Sequence, residues 1–222
     1  MARIAVAAFL GLMEVRGDGA EARYQTWHAN DHLPENKAIP GVVYGQRWHA
    51  SEALRKTHRV DDPAIGAPQF LITYFFGEPL ETSLDEWNLL ADRLGAAGRM
   101  FDDRSVRVGG LFAFEHREVA PHLELSPRAL HHRPHSGVYL QLAAHTDVGE
   151  DDRARFQAVL ERENVAGGIR FASAGAHEYG DTQGGRAELY FAAPGCEPEA
   201  AFAGIPAASD VVFSGAFGPS ED

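Results

Sequence analysis

The order of predicted strands and helices runs twice along the chain, and this repetition restricts the possible folds more than any single motif does. Runs of β-branched, aromatic and other apolar residues predict four strands in the first half, at residues 4–13, 42–49, 70–76 and 106–115. Apolar residues at three- and four-residue steps predict two helices, at residues 20–33 and 79–100. The order in this half is strand, helix, strand, strand, helix, strand.

The second half repeats that order with weaker signals. Its predicted strands lie at residues 138–144, 169–177, 187–193 and 211–217, and its predicted helices at residues 151–163 and 197–203. The glycine-rich residues 180–185 predict a hairpin turn. Residues 121–136 are dense in Pro, Arg and His without apolar periodicity, which predicts a solvated connector. The chain therefore divides into a first repeat at 1–120, this connector, and a second, degenerate repeat at 137–222.

The β-α-β-β-α-β order is that of the ferredoxin-like unit, whose single antiparallel sheet has helices on one face only. Two such sheets leave two apolar faces that must be buried. We therefore predict an α+β fold in which two tandem ferredoxin-like repeats pack their antiparallel sheets face to face as one α/β barrel. An interior cavity in such a barrel would suit a small ligand.

Charge and cysteine content exclude several kinds of protein. The formal net charge is −12 and no Lys/Arg run is present, so a nucleic-acid partner is not expected and a membrane surface is disfavoured. No apolar run reaches the roughly 20 residues of a membrane-spanning helix. Cys196 is the only cysteine, which excludes an intramolecular disulfide and favours a reducing, cytoplasmic location.

The first predicted helix carries the most functional-looking residues. Pro34 disfavours helical geometry in the residue before it, so we expect the helix to end near Leu33. His28, Asp31 and His32 then project within about one quadrant of the helix. In the last turn the negative end of the helix dipole would raise the pKa of His32. The alternative is that His32 caps the helix.

A resemblance adds to this interpretation. Residues 24–35 read YQTWHANDHLPE and are followed by Ile-Pro-Gly at 39–41 and by Arg47-Trp48, and residues 68–74 read PQFLITY. This pattern resembles the dimeric α/β-barrel superfamily, in particular its EthD-like and muconolactone-isomerase-like members. In the second repeat the resemblance survives only as the order of elements.

The resemblance also implies a role for one residue. His32 lies eight residues before Pro40, the offset that the histidine of methylmuconolactone methylisomerases keeps from its own Pro-Gly. His32 is therefore a candidate general acid/base, with Asp31 as its orienting partner and His28 as a further catalytic candidate. The pair His28 and His32 has the spacing of metal ligands on a helix, but no third ligand is evident, and we expect neither a metal nor a cofactor.

The candidate substrate-binding residues are Trp27, Tyr44, Arg47, Trp48 and Tyr74. Strand alternation places Arg47 and Trp48 on opposite faces of the second strand. A buried Arg47 would need a partner such as a substrate carboxylate or enolate, and a surface ion pair is the alternative. For Trp27 the simplest interpretation is a place in the core.

The resemblance implies fold better than chemistry. We predict a cofactor-independent enzyme of the isomerase, cyclase or lyase type that acts on a small apolar carbonyl, lactone or phenolic compound. The alternatives are a non-catalytic small-molecule-binding or accessory protein, and a cofactor-free monooxygenase or haem-dependent enzyme on the same fold. A small-molecule substrate is the expected partner, and a homodimer stays open.

Overall fold

The computed structural model describes residues 4–145, 148–174 and 185–220. Its strands are β1 (Ala5–Val15), β2 (Val42–His49), β3 (Arg59–Val60), β4 (Phe70–Gly77), β5 (Arg104–Val119), β6 (Val138–Ala143), β7 (Val165–Ser173), β8 (Arg186–Ala192) and β9 (Val211–Pro219). Its α-helices are α1 (Ala20–Trp27), α2 (Leu33–Ala38), α3 (Glu52–Arg55), α4 (Leu80–Ala96), α5 (Glu150–Leu160) and α6 (Pro198–Phe202). None of these helices combines the length and apolarity that crossing a membrane requires.

The strands form one closed antiparallel ring. The first repeat contributes the order β2-β4-β1-β5 and the second the equivalent order β7-β8-β6-β9. Pairing of β5 with β7 and of β2 with β9 joins the two sheets end to end. The predicted fold class is thereby confirmed, whereas the boundaries at 120 and 136 stay a prediction.

The two seams of the ring differ in length. β5 and β7 pair over seven positions, from Phe112 with Ser173 to Val119 with Gly167. β2 and β9 pair at only two positions, and the short β3 pairs with β9 further along. Residues 51–68 supply β3, and their Leu54 and Ile65 are buried.

Apolar side chains fill the inside of the barrel. Phe75 of β4, Phe114 of β5 and Phe171 of β7 pack edge to face, with ring centroids 5.1 and 4.8 Å apart. These strands come from both repeats, so the cluster joins the two sheets. A second apolar cluster, which includes Phe9 and Trp87, lies on the other face of the first sheet, under its helices.

The first helix does not end near Leu33 as expected. It continues through a π-helical turn at His28–His32 into α2, which ends at Ala38. The backbone N–H of Leu33 bonds to the carbonyl of His28, five residues earlier. A proline lacks an N–H and its ring crowds the carbonyl four residues before it, and the wider π turn provides the space that Pro34 needs.

The connector is packed against the barrel and is not the expected solvated loop. Residues Pro127–His132 form a 3-10 turn in which Leu130 and His131 are buried. The ring of His135 reaches the carbonyls of Leu130 and Ala192 at 2.6 and 3.1 Å. His131 packs its ring 5.1 Å from that of Phe75. Imidazole rings can cover apolar surface, so a high content of His does not by itself predict a solvated segment.

The remaining elements agree with expectation to within a few residues, with two larger differences. β5 begins at Arg104 and ends at Val119, longer than predicted at both ends, because it pairs with both β1 and β7. β7 begins at Val165, four residues before the predicted start. His177 and most of the predicted 180–185 turn lie outside the described residues.

Candidate active site

A small cavity lies between the outer face of the first sheet and its helices. Its polar lining consists of Tyr24, His28, His32, Asn36, Tyr74 and Arg104, and its apolar walls include Phe9, Trp87, Leu94 and Met100. It offers about 50 Å³ to the centres of water-sized molecules. On this measure one water needs roughly 10–15 Å³, so three to five waters, or one small molecule, would fill it.

His28 forms the inner end of the site. Its side chain is buried, with Nε2 3.5 Å from the hydroxyl of Tyr74 and Nδ1 without a hydrogen-bond partner. Burial lowers the pKa of His28 well below 6.5, with smaller contributions from His32 and Arg47. His28 is therefore neutral near pH 7 and keeps an unsatisfied ring nitrogen.

His32 lies one π turn further along the helix. Its ring stacks on Trp27 with centroids 4.6 Å apart and planes inclined by 20°, and its Nδ1 is buried without a partner. Burial lowers the pKa of His32 to about 4, and the positive charge of Arg104 acts in the same direction. The expected rise in pKa is wrong because the helix runs on to Ala38, which removes His32 from the dipole's negative end, and because desolvation dominates.

Asp31 is paired elsewhere and does not hydrogen-bond to the His32 ring among the described contacts. Its carboxylate forms an ion pair with Arg99, which also bonds to Glu35 at 2.6 Å. The carbonyl of Arg99 accepts a hydrogen bond from the Trp27 indole at 2.8 Å. Arg99 thus fastens the segment after α4 to the histidine-bearing helix, beside the cavity.

Two tyrosines and an arginine complete the polar lining. Tyr24 is fully buried, its hydroxyl has no hydrogen-bond partner, and burial raises its pKa to about 12. Burial also raises the pKa of Tyr74. The guanidinium of Arg104 lies 5.4 Å from the centre of a Trp27 ring. Both tyrosines are therefore un-ionised near neutral pH and can donate hydrogen bonds.

Sequence reasoning missed Asn36 and Trp87 as parts of the site. The Trp87 indole donates to Asn36 Oδ1 at 2.5 Å, and the Asn36 amide donates to the His32 carbonyl at 2.7 Å. The pair ties α4 to the end of the π turn. The sequence offers little signal for it, because Trp87 has the spacing of an ordinary core residue and lies 51 positions from Asn36.

The five predicted substrate-binding residues separate onto two faces of the sheet. Tyr74 lines the cavity and Trp27 supports His32 from outside it. Tyr44 and Trp48 face the opposite side and pack into the barrel core. Arg47 lies on the helix side and is 1% exposed.

Arg47 has partners within the chain. It donates to the carbonyl of Gln25 at 2.7 Å and to the hydroxyl of Ser220 at 2.9 Å. It therefore ties α1 to the end of β9. Contact of Arg47, Tyr44 or Trp48 with a substrate stays a prediction.

The residues do not fit a haem or a bound metal ion at this site. Sites for cofactors and drug-sized ligands measure about 300–1,000 Å³, several times the space beside His28 and His32. In the part of the chain that the structure describes, no three His, Cys, Asp or Glu side chains converge on a point that could hold a metal ion.

Comparison with solved structures supports the fold. An anthrone oxidase-like protein matches with a TM-score of 0.54 at 10% identity, over 99% of this chain and 93% of its own. The encapsulated DyP-type peroxidase of Mycobacterium smegmatis matches with a TM-score of 0.53 at 11% identity, over 99% and 94%. A Fusobacterium nucleatum protein named as a monooxygenase matches with a TM-score of 0.52 at 9% identity, over 100% and 94%.

These likenesses are all far below 25% identity, so they establish the ferredoxin-like α+β barrel and no particular chemistry. No protein-family model and no curated protein matches the sequence. The similar structures belong to a fold related to the dimeric α/β barrels, and they do not single out the EthD-like members.

Proposed function

We propose that the protein is a cofactor-independent enzyme that moves a proton on a small carbonyl, lactone or phenolic compound, with His32 as general acid/base. One observation carries the proposal. The Nδ1 atoms of His28 and His32 and the hydroxyl of Tyr24 are all buried without partners beside one small cavity. A buried polar group left unpaired costs stability, which is typical of sites that are completed by a ligand.

The proposed reaction begins with proton abstraction next to a carbonyl. Neutral His32 accepts the proton at Nδ1, the C–H bonding pair moves into an enolate, and the Tyr24 hydroxyl donates a hydrogen bond to the enolate oxygen. Return of the proton to a different carbon completes an isomerisation, and expulsion of a neighbouring group completes an elimination. With a pKa of about 4, His32 is by itself a weak base. The negative charge that develops on the adjacent enolate raises this pKa as the proton is transferred.

The assignment to EthD-like and muconolactone-isomerase-like proteins belongs to this proposal, as do a cytoplasmic location and a homodimer. The assignment to these proteins is supported by the 24–35 motif, which contains both histidines of the cavity and the Trp27 that stacks on one of them. The cavity admits a reacting group of a few atoms, so a larger substrate must displace flexible wall residues such as Met100.

Proton exchange tests the proposal without knowledge of the substrate. The protein is incubated in D₂O with a panel of small ketones, lactones and phenols, and NMR follows loss of the exchangeable C–H signals. We expect His32→Ala to reduce exchange by about 10²–10⁴-fold. His116→Ala, at an exposed histidine paired with Glu118, is the matched control and should exchange at the wild-type rate.

Full exchange by the His32 variant would refute its catalytic role. Binding of panel compounds without exchange by the wild-type protein would favour the accessory-protein alternative.

A cofactor-free monooxygenase is the second candidate. Two of the similar structures are named as a monooxygenase and an anthrone oxidase-like protein. The same base would remove a phenolic proton, and the electron-rich phenolate would then react with dioxygen. Oxygen consumption in an electrode, dependent on a phenol from the panel, would favour this candidate over the isomerase.

A further inference from the structure

Arg104 is the cationic residue of the cavity, and no established role accounts for it. It is the first residue of β5, opposite Val15 of β1, and its guanidinium extends along the Trp27 ring. It is close enough to lower the pKa of Tyr24, His28 and His32. Its charge therefore acts on the groups that the proposed function places at the substrate.

Arg104 lacks the acidic partner that comparable arginines have. Arg155 pairs with Glu188 at 2.7 Å, and Arg186 pairs with Asp210 at 2.7 Å. Across the described residues, no carboxylate oxygen lies within 4 Å of the Arg104 guanidinium. Asp31, on the neighbouring helix, is already engaged by Arg99.

The rest of the lining leaves this positive charge uncompensated. Both histidines are neutral near pH 7, and both tyrosines are un-ionised, so none of them supplies a negative charge. The Tyr24 hydroxyl lies beside the Arg104 guanidinium, and its own proton can be donated into the same space. A guanidinium beside a free hydroxyl donor in a mostly apolar cavity is complementary to an anion.

We propose that the cavity binds a small monoanionic group, with Arg104 as its anion-binding residue and the Tyr24 hydroxyl as a second donor. The proposal rests on the proposed function in one respect, because the anionic group would belong to the substrate of the same site. The substrate class then narrows to carbonyl compounds that carry a carboxylate, or that bind as an ionised enolate or phenolate. The volume of the cavity restricts the bound portion to a few non-hydrogen atoms.

Acetate and acetamide provide the test, because they have the same number of non-hydrogen atoms and nearly the same shape but differ in charge. Each is titrated into the full-length wild-type protein at constant ionic strength, and binding is followed by NMR of the His32 and Trp27 rings. We expect saturable acetate binding at least tenfold tighter than acetamide binding. Equal affinities, or no binding of either ligand at the cavity, would overturn the proposal.

Two substitutions assign the effect to Arg104. Arg104→Met should abolish the preference for acetate, and Arg104→Lys should retain part of it, because a lysine keeps the charge without the planar fork. Arg93→Met removes an exposed arginine from α4 and should bind acetate as the wild type does. If Arg104→Met binds acetate normally, the proposal fails, and if that variant does not fold, the wild-type comparison still decides.

The outcomes for the two proposals are separable. If a neutral ketone undergoes His32-dependent exchange while acetate shows no preference, the proposed function stands and the anion site fails. If acetate binds through Arg104 while no panel compound undergoes exchange, the anion site stands and the catalytic proposal fails.

Discussion

In both repeats a glycine on the second strand of the repeat lies directly beside a tyrosine on the third. Gly45 pairs with Tyr74 in the first repeat, and Gly168 pairs with Tyr190 in the second. A Cβ at either glycine would come to about 3 Å from its tyrosine ring. An arginine follows two residues later in each strand, so the two repeats share a detailed plan on the helix side of their sheets.

The hydroxyls of the two tyrosines differ in their hydrogen bonds. The hydroxyl of Tyr190 bonds to Glu188 at 2.7 Å and to Arg155 at 3.3 Å, which satisfies it within the chain. Among the described residues, the hydroxyl of Tyr74 has only the long contact to His28, and a cavity lies beside it. The helix above differs too, because His28 lies against Tyr74 in the first repeat, whereas Phe156 lies against Tyr190 in the second.

This difference indicates which repeat can bind a ligand. In the second repeat, Glu188 and Arg155 satisfy the hydroxyl of Tyr190 within the chain, and Phe156 packs beside it. The first repeat leaves polar atoms buried and unpaired, at a cost in stability that a ligand would offset. The proposed site therefore belongs to the first repeat, beside Tyr74.

We expect the largest loss of stability from removal of Glu188, the buried carboxylate that pairs with Arg155 in the second repeat. Glu188→Ala leaves Arg155 buried with only Asp152, 3.5 Å away, as counter-charge, and the free energy of unfolding should fall by up to about 3–5 kcal/mol in a urea titration. Glu199→Ala, an exposed glutamate on α6, is the control and should leave the transition unchanged. A loss of less than 1 kcal/mol for Glu188→Ala would show that this ion pair contributes little to the stability of the second repeat.

Substitutions between His and Leu on the two helices should have opposite effects on stability. Leu160→His places a polar ring among apolar side chains, and unfolding should become easier by about 2–3 kcal/mol. His28→Leu removes an unpartnered nitrogen from the first repeat, so stability should stay level or rise while proton exchange falls. Paired urea titrations measure both variants. Equal destabilisation by the two changes would contradict the assignment of the ligand site to the first repeat alone.

Acid should destabilise the first repeat through its histidines. His32 has a folded pKa near 4, so the unfolded chain takes up a proton as pH falls below 6.5 while the folded chain does not. Stability is thus fully present above pH 6.5 and is lost between 6.5 and 4, at up to about 1.4 kcal/mol per pH unit for each such histidine. His28→Leu should reduce this slope in unfolding measured from pH 7 to pH 4.5, and an unchanged slope would assign the acid sensitivity elsewhere, His131 included.

We expect the smallest effect on global stability from a substitution of Arg99, which lies beside the cavity. Arg99→Ala removes exposed ion pairs to Asp31 and Glu35, so global stability should hardly change. The segment after α4 should nevertheless open more often, with faster hydrogen exchange of its backbone amides by mass spectrometry. Arg162→Ala in the second repeat, which removes a bond to the carbonyl of Ala203, should leave that segment unaffected. Unchanged exchange after Arg99→Ala would show that this arginine does not fasten the cavity.

The fold was predictable because its signals are local. Strand β2 lies at the residues that its apolar pattern predicted, and β4 differs from its prediction by one residue. The site was only partly predictable. The 24–35 motif identified His28 and His32, but Pro34 misled the helix boundary, because whether a proline ends a helix depends on room that a π turn can create.

The amino-acid sequence by itself determined the order of elements and, from two sheets with apolar faces, the closure of one barrel. It also determined that two histidines share one side of one helix. Tertiary structure alone decided that they face the helix layer and not the barrel interior, that Arg47 binds Ser220, 173 residues away, and that His32 is neutral. The physical reason is that secondary structure follows from near neighbours, whereas burial, partners and pKa values depend on residues brought together from distant parts of the chain.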